Sequence, residues 1–184
     1  MIFLPNTFER YIAALRVLNH LLILKNGITS KRLKTLKKIY TAEAFYFRKK
    51  LSPFSITDFT LSLVSASQTL LYKKGKTLNF SLNTKGNYLF NKQLFTLLIL
   101  EICSSCNYMK ITEKDIGIVI FTNGEIKNSL PFIKKLKGYY FYENSLNKAV
   151  IILPFEETAL TPITNETEWY SLFDKFSPVN LYFL

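Results

Sequence analysis

Residues 90–124, FNKQLFTLLILEICSSCNYMKITEKDIGIVIFTNG, hold the passage whose reading decides the fold. Asn91 is a residue type favoured as a helix N-cap, and it precedes a run from Leu94 to Ile102 that is apolar on nearly every side. Such a run predicts a very apolar helix, ending near Cys106. Two strands follow as a hairpin, Met109 to Thr112 and Ile116 to Phe121, turned at Glu113-Lys-Asp115 and closed by Asn123-Gly124. Strands paired by tight turns with helices between them suggest helices lying over a sheet.

The same alternation extends outward. A short helix is expected around Ser129 to Lys137, stopped by Gly138, then a strand pair from Tyr139 to Tyr142 and from Ala149 to Leu153 across a polar turn at Asn144 to Asn147. Upstream, Ser55-Ile-Thr-Asp58 resembles a capping box and opens a helix to about Tyr72, and Leu78 to Leu82 alternates as a strand after a Lys-Lys-Gly-Lys turn. The expected fold is α+β, with helices covering one face of a mixed sheet in an α/β sandwich.

Before residue 53 the pattern is purely helical. Residues 8 to 25 are apolar nearly all round, which predicts a helix buried on several sides, and Asn26-Gly27 supplies its C-cap. Thr29 or Ser30 caps a second helix to about Leu51, with Leu33, Leu36, Tyr40, Ala44, Phe47 and Leu51 as one apolar seam. This predicts an antiparallel helical hairpin. A hairpin alone leaves its first helix uncovered, so a four-helix bundle made by a homodimer is expected. The expected division is 1–53 for the hairpin, 54–155 for the sandwich, and 156–184 for a tail with a short helix around Glu166 to Phe176 that includes Trp169.

Composition sets the outer limits. The 184 residues are 48% hydrophobic with 6 Gly and 6 Pro, enough for a core. The apolar stretches are too short or interrupted for a span of about 20 residues, and Met1 to Pro5 lack the basic start of a secretory leader. A cytoplasmic location is expected, with no membrane partner. Cys103 and Cys106 form a Cys-x-x-Cys at the end of a helix rather than its start, with no second pair to complete a zinc site. They are expected to be buried structural thiols, and no metal site is expected.

A net charge of +11 implies attraction to something acidic. The lysines concentrate on the second helix, at Lys31, Lys34 and Lys38 among others. His20 is the sole histidine, and helical spacing sets it on one polar strip with Arg16 and Asn19. Any phosphohistidine chemistry must use it.

This order of elements resembles the histidine kinase family: a dimerisation and phosphotransfer hairpin followed by a GHKL ATPase-like domain. The resemblance covers about residues 8 to 155. Phe90 through Cys106 resembles the helix bearing the N-box, Ile118 to Gly124 the strand leading into the Asp-x-Gly motif, and Gly138 to Pro154 the terminal strand pair. In this correspondence Ser105 stands where the family has its Mg²⁺-binding Asn, with Glu101 one turn earlier, and Thr122 stands where an Asp reads adenine, followed by Asn123 and Gly124. Between Gly124 and Gly138 there is no glycine and no room for the ATP lid or its glycine turn. Leu15-Arg-Val-Leu-Asn-His20 resembles the His-Asp-x-x-Asn-His pattern of the branch that includes sporulation phosphorelay phosphotransferases, with Leu15 in place of the phosphorylated His.

The resemblance therefore implies a two-component signalling protein that binds no ATP cofactor, a pseudokinase or phosphotransferase-like dimer docking an acidic response-regulator receiver domain on Arg16, Asn19, Lys31, Lys34 and Lys38. Were it catalytic, His20 would be the phosphoacceptor. A second reading, a basic regulator holding nucleic-acid phosphates on Lys31 to Lys38, has less behind it: the chain has no reader motif, and its aromatics stand mostly where a core takes them. A third is a nucleotide-binding GHKL domain with a substituted pocket.

Overall fold

A computed structural model describes residues 7–27, 29–46, 51–161 and 178–183, and the chain divides into two compact units, Met1–Lys49 and Lys50–Leu184. The first unit consists of α1 (Thr7–Asn26) and α2 (Ser30–Tyr46), packed against one another. Gly27 adopts φ +77°, and its N–H donates to the Ile23 carbonyl at 2.8 Å, ending α1 as a glycine C-cap does. Thr29 caps α2 by accepting from the Arg32 N–H at 3.3 Å.

The α2 seam buries Leu36, Ile39, Tyr40 and Ala44, with Leu33 half-buried. One expectation changes here and one is not reached. Phe47 lies outside the described residues, and Leu51 belongs to a strand, because Pro53 breaks helical hydrogen bonding and the backbone pairs elsewhere. On α1, Ile23 and Asn19 are buried, but Leu18, Leu21, Leu22 and Leu24 are exposed, so the helix is not covered on several sides within one chain.

The second unit runs β1 (Leu51–Ser55), α3 (Ile56–Lys73), β2 (Asn79–Asn83), β3 (Asn87–Asn91), α4 (Lys92–Ser105), β4 (Tyr108–Lys114) and β5 (Gly117–Asn123). A 3-10 turn at Lys127–Ser129, α5 (Leu130–Lys135), β6 (Tyr139–Glu143), β7 (Lys148–Leu153), β8 (Glu157–Thr158) and α6 (Pro178–Phe183) complete it. A five-stranded mixed sheet has the order β2-β4-β5-β7-β6, with β2 parallel to β4 and the other pairs antiparallel. A small antiparallel sheet, β1-β3-β8, stands beside it.

The caps are where the residue types put them. Ser55 accepts from the Asp58 N–H at 3.2 Å to start α3, and Asn91 accepts from the Leu94 N–H at 3.0 Å to start α4. Every residue of α4 from Leu94 to Cys103 is buried. One face of the large sheet supplies Met109, Ile111, Ile118, Ile120, Ile151 and Leu153 to the core, while Leu63, Val64 and Leu71 of α3 and Val179 and Phe183 of α6 are also buried. Phe54, Phe59, Phe90 and Phe95 tie the small sheet to α3 and α4, with ring centroids 5.0 to 6.3 Å apart. The Lys92 ammonium sits 4.9 Å from the centre of the Phe59 ring.

Strands β1, β3 and β8 are absent from the sequence-based expectation. The range 156–184, expected as a tail, contributes β8 to the small sheet and α6 to the packing of α3 and α4. The helix expected around Glu166 to Phe176 lies outside the described residues, as does Trp169. No helix among the described residues is long and apolar enough to cross a membrane.

Gly117 holds the β4–β5 turn at φ +138°, and a Cβ there would lie 2.2 Å from the Leu153 carbonyl oxygen. Both the backbone conformation and the space exclude a side chain. Gly117→Ala is expected to cost at least about 2 kcal/mol, from forced backbone strain and the shift of β7, measured as a lowered urea midpoint with unchanged slope.

Candidate functional site

The last turn of α4 meets the end of β5 and the loop that follows it, and the buried polar side chains of Glu101, Thr122 and Ser129 lie there. Glu101 is buried inside this apolar helix. A buried carboxyl group needs partners. Its Oε1 accepts from the Ser105 hydroxyl at 3.3 Å, one helical turn on, and from the Asn128 side-chain amide at 3.1 Å. Asn128 reaches it because the short link after β5 brings the 3-10 turn Lys127–Ser129 directly against α4. The Lys76 ammonium donates to the Ser104 carbonyl, satisfying an acceptor that the end of α4 leaves open.

Cys103 and Cys106 are free and buried beside this network. Burial pushes the Cys103 thiol up from 9.0 to about 12, against the pull of the Lys76 ammonium. Burial also raises Cys106, with the Thr122 hydroxyl and Lys76 acting against it and Glu101 adding to it. Both are poor nucleophiles in the folded protein. Among the described residues no three His, Cys, Asp or Glu side chains group as metal ligands.

Of the five residues expected to form a degenerate nucleotide pocket, Glu101, Ser105, Thr122 and Gly124 lie about the end of α4 near Cys106, and Asn123 turns away. Glu101 and Ser105 are joined, with Asn128 as the third member. Thr122 is buried on the inner face of β5 with the Cys106 thiol as its polar neighbour. Asn123 follows it on the strand and turns to the other face, as alternation requires. There its Oδ1 accepts from the N–H groups of Asn107 at 2.9 Å and Tyr108 at 2.7 Å, fixing the link between α4 and β4. Gly124 has φ +97° and donates its N–H to the Asn147 carbonyl at 2.8 Å. Asn123 and Gly124 therefore hold turns together.

In the first unit, Asn19 is buried and its Nδ2 donates to the Arg32 carbonyl at 3.4 Å, a contact between the two helices. Arg16 is half-buried on the same helix, and the His20 side chain lies outside the described residues. Lys31, Lys34 and Lys38 are exposed on α2, off the seam of Leu36, Ile39, Tyr40 and Ala44. Asn128 was missed by sequence reasoning, and nothing local marks it: its role arises only from the position of the turn that carries it.

Among solved structures, full-length ShkA in complex with AMPPNP superposes on this chain with a TM-score of 0.54 at 11% identity, over 85% of this chain and 45% of ShkA. The fold is histidine-kinase-like. The chain thus spans less than half the length of ShkA. The Acinetobacter baumannii histidine kinase AdeS, at TM-score 0.45 and 10% identity, matches over 77% of this chain and 93% of its own. The cytoplasmic segment of histidine kinase QseC, at TM-score 0.45 and 12% identity, matches over 85% of this chain and all of that segment, 100%. No protein-family model and no curated protein sequence matches.

The buried thiols and Tyr88 give a signed pH dependence. Tyr88 is pushed up from 10.0 to about 12, first by burial and then by its hydrogen bond with Glu113. Tyr88 and Cys103 keep their protons in the folded state at pH values where the unfolded chain has lost them. Their contribution to stability is full below about pH 9 and is lost as pH rises toward 12. Urea titrations should show falling stability above pH 9, and a thiol reagent such as Ellman's at pH 8 should react with both cysteines only after unfolding.

Proposed function

We propose that this chain is a two-component signalling protein that has given up ATP-dependent chemistry and works by binding a response-regulator receiver domain. The observation that carries this reading is the bond between Asn128 and Glu101. Phosphoryl transfer from ATP depends on a metal ligand, phosphate-cradling backbone and a movable lid. Here the carboxyl that would face a metal is engaged by Ser105 and Asn128, and the neutral Thr122 stands where an adenine-reading carboxylate is expected. The helix after β5 is only six residues and follows a 3-10 turn directly. These residues do not fit Mg-ATP. ShkA was seen with AMPPNP, so the same fold can hold a nucleotide, which makes the side chains the deciding difference.

The binding role follows from the first unit. Leu18, Leu21 and Leu22 lie on one strip of α1 at i, i+3 and i+4 and are exposed. A second copy would cover them as a four-helix bundle, giving the 1–53 segment a dimerisation role beside a sandwich at 54–155. Lys31, Lys34 and Lys38 then present positive charge to an acidic receiver face, which speeds association more than it deepens affinity. If the protein also transfers phosphate, His20 is the acceptor and the receiver aspartate the donor; otherwise it sequesters its partner. Both modes place the protein in the cytoplasm.

Dimerisation can be checked by analytical ultracentrifugation: the wild type should sediment as a dimer, and Leu21→Glu, which sets a charge in the proposed seam, should convert it to a folded monomer.

The signalling role is tested with a panel of receiver domains phosphorylated by radiolabelled acetyl phosphate. Binding to at least one, slowed about tenfold by the combined charge reversal of Lys31, Lys34 and Lys38 to Glu, is expected. Acid-labile label on the wild type and none on His20→Gln would add phosphotransfer. Calorimetric titration with Mg-AMPPNP should give no binding at millimolar nucleotide, and micromolar binding would overturn the proposal.

A further inference from the structure

The second face of the five-stranded sheet carries side chains that neither the core nor the proposed signalling role uses. Register and alternation place them on a grid. One row across the sheet reads Ser81, Lys110, Phe121, Val150 and Phe141, each the lateral partner of the next. The row on one side continues Thr112, Val119, Ile152 and Tyr139, of which Thr112 and Val119 are buried, and the row on the other is Tyr108, Asn123, Lys148 and Glu143, Tyr108 following from the Met109 to Thr122 pairing. Tyr139 is 61%, Phe141 58% and Tyr108 40% exposed, and Phe121 and Val150 are half-buried. A concavity of about 580 Å³ opens between Tyr108, Lys110, Phe121, Phe141, Lys148 and Val150.

Exposed aromatic rings on a sheet face are costly to leave in water, and a monomer rarely shows such a patch without a use. The spacing says what fits. Phe121 and Phe141 are two strands apart, about 10 Å, and Phe141 and Tyr139 two residues apart along β6, about 7 Å. Those are separations at which consecutive splayed bases can each take a ring, as on the sheet platforms that bind single-stranded nucleic acid. The polar members are those that such a ligand needs. Lys110 and Lys148 stand among the rings, Lys114 continues the Lys110 column at the edge, and Ser81 and Asn79 offer hydrogen-bonding groups on the same face. Glu143 is the acidic side chain on this face, and its Oε1 already accepts from the Ser145 hydroxyl at 3.0 Å. With a whole-chain charge of +11, the long-range field also favours a polyanion.

We propose that this open face binds single-stranded nucleic acid, with bases stacked on Phe121, Phe141 and Tyr139 and the phosphates between them held by Lys110 and Lys148. This reverses the sequence-based expectation that the aromatics belong mostly to a core, and it assigns the contact to the sheet rather than to the lysines of α2. It does not depend on the signalling role.

The test uses the full chain and fluorescein-labelled (dT)12 and (rU)12, followed by fluorescence anisotropy at 150 mM KCl, with a 12-base-pair duplex as comparison. Micromolar binding of at least one single strand is expected, with the duplex at least tenfold weaker. Phe121→Leu and Phe141→Leu keep the sheet packed but remove the stacking surface, and each should weaken binding about tenfold. Lys110→Gln should weaken it less and flatten its salt dependence. Photocrosslinking of an oligonucleotide carrying 5-iodouracil should map to peptides of β5 and β6. Absence of single-strand binding, equal binding of duplex, or binding unchanged by both Leu variants would overturn the proposal. So would concentration-dependent self-association that the Leu variants abolish, since a second copy would then own the face.

Discussion

Helix α4 has no solvent-facing stripe from Leu94 to Cys103, yet its sequence places a carboxyl group at position 101. Burying that group in an apolar helix without partners would cost several kcal/mol, so the structure around it is organised to supply them. Ser105 provides one donor from the same helix. The other comes from Asn128, and it can arrive only if the chain turns back immediately after β5. That requirement shortens the connection and presses the 3-10 turn and α5 onto α4. The geometry that satisfies Glu101 is thus the geometry that keeps the connection after β5 short and packed.

The same end of α4 shows how one strand serves two environments. Thr122 points inward beside Cys106, whereas its neighbours Phe121 and Asn123 point to the opposite face of the sheet. Asn123 anchors the backbone of Asn107 and Tyr108, so the path from α4 into β4 is fixed by a side chain on the outer face. The positions of Tyr108 and Phe121 on that face are therefore tied to how α4 ends. Packing on the inside sets the register, and the register sets the grid on the outside.

Elements with a strong local signal were legible in the sequence. Asn91 and Ser55 cap the helices they were expected to cap, Gly27 ends α1 with a positive φ, and the strands from Met109 to Phe121 stand within a few residues of their expected bounds. Strand β1 was hidden because Ser52-Pro53 reads as a helix breaker, although an edge strand such as this one tolerates proline. Strand β3 abuts α4 with no turn between them, and β8 is too short to show a pattern. Along β6, Tyr139-Tyr-Phe-Tyr142 is aromatic at every position, so period-two alternation vanishes and only pairing with β7 reveals which rings face out. Asn128 was illegible for a different reason: its partner is 27 residues away, and no local rule links them.

The short connection between β5 and β6 packs on α4 through its 3-10 turn and α5. A lid that must open is drawn from the least stable part of a fold. The turn bonded to Glu101 and the short helix against α4 make this connection packed structure, and α6 adds a further contact on α3 and α4. Such a domain is better suited to presenting a fixed surface than to cycling between open and closed states. Binding on a rigid sheet loses little side-chain and loop entropy, because Phe121 and Phe141 are held by a backbone paired on both sides or by β7 beside them. The packed connection at one end of β5 and the surface held firm along its outer face meet at the closure around Glu101.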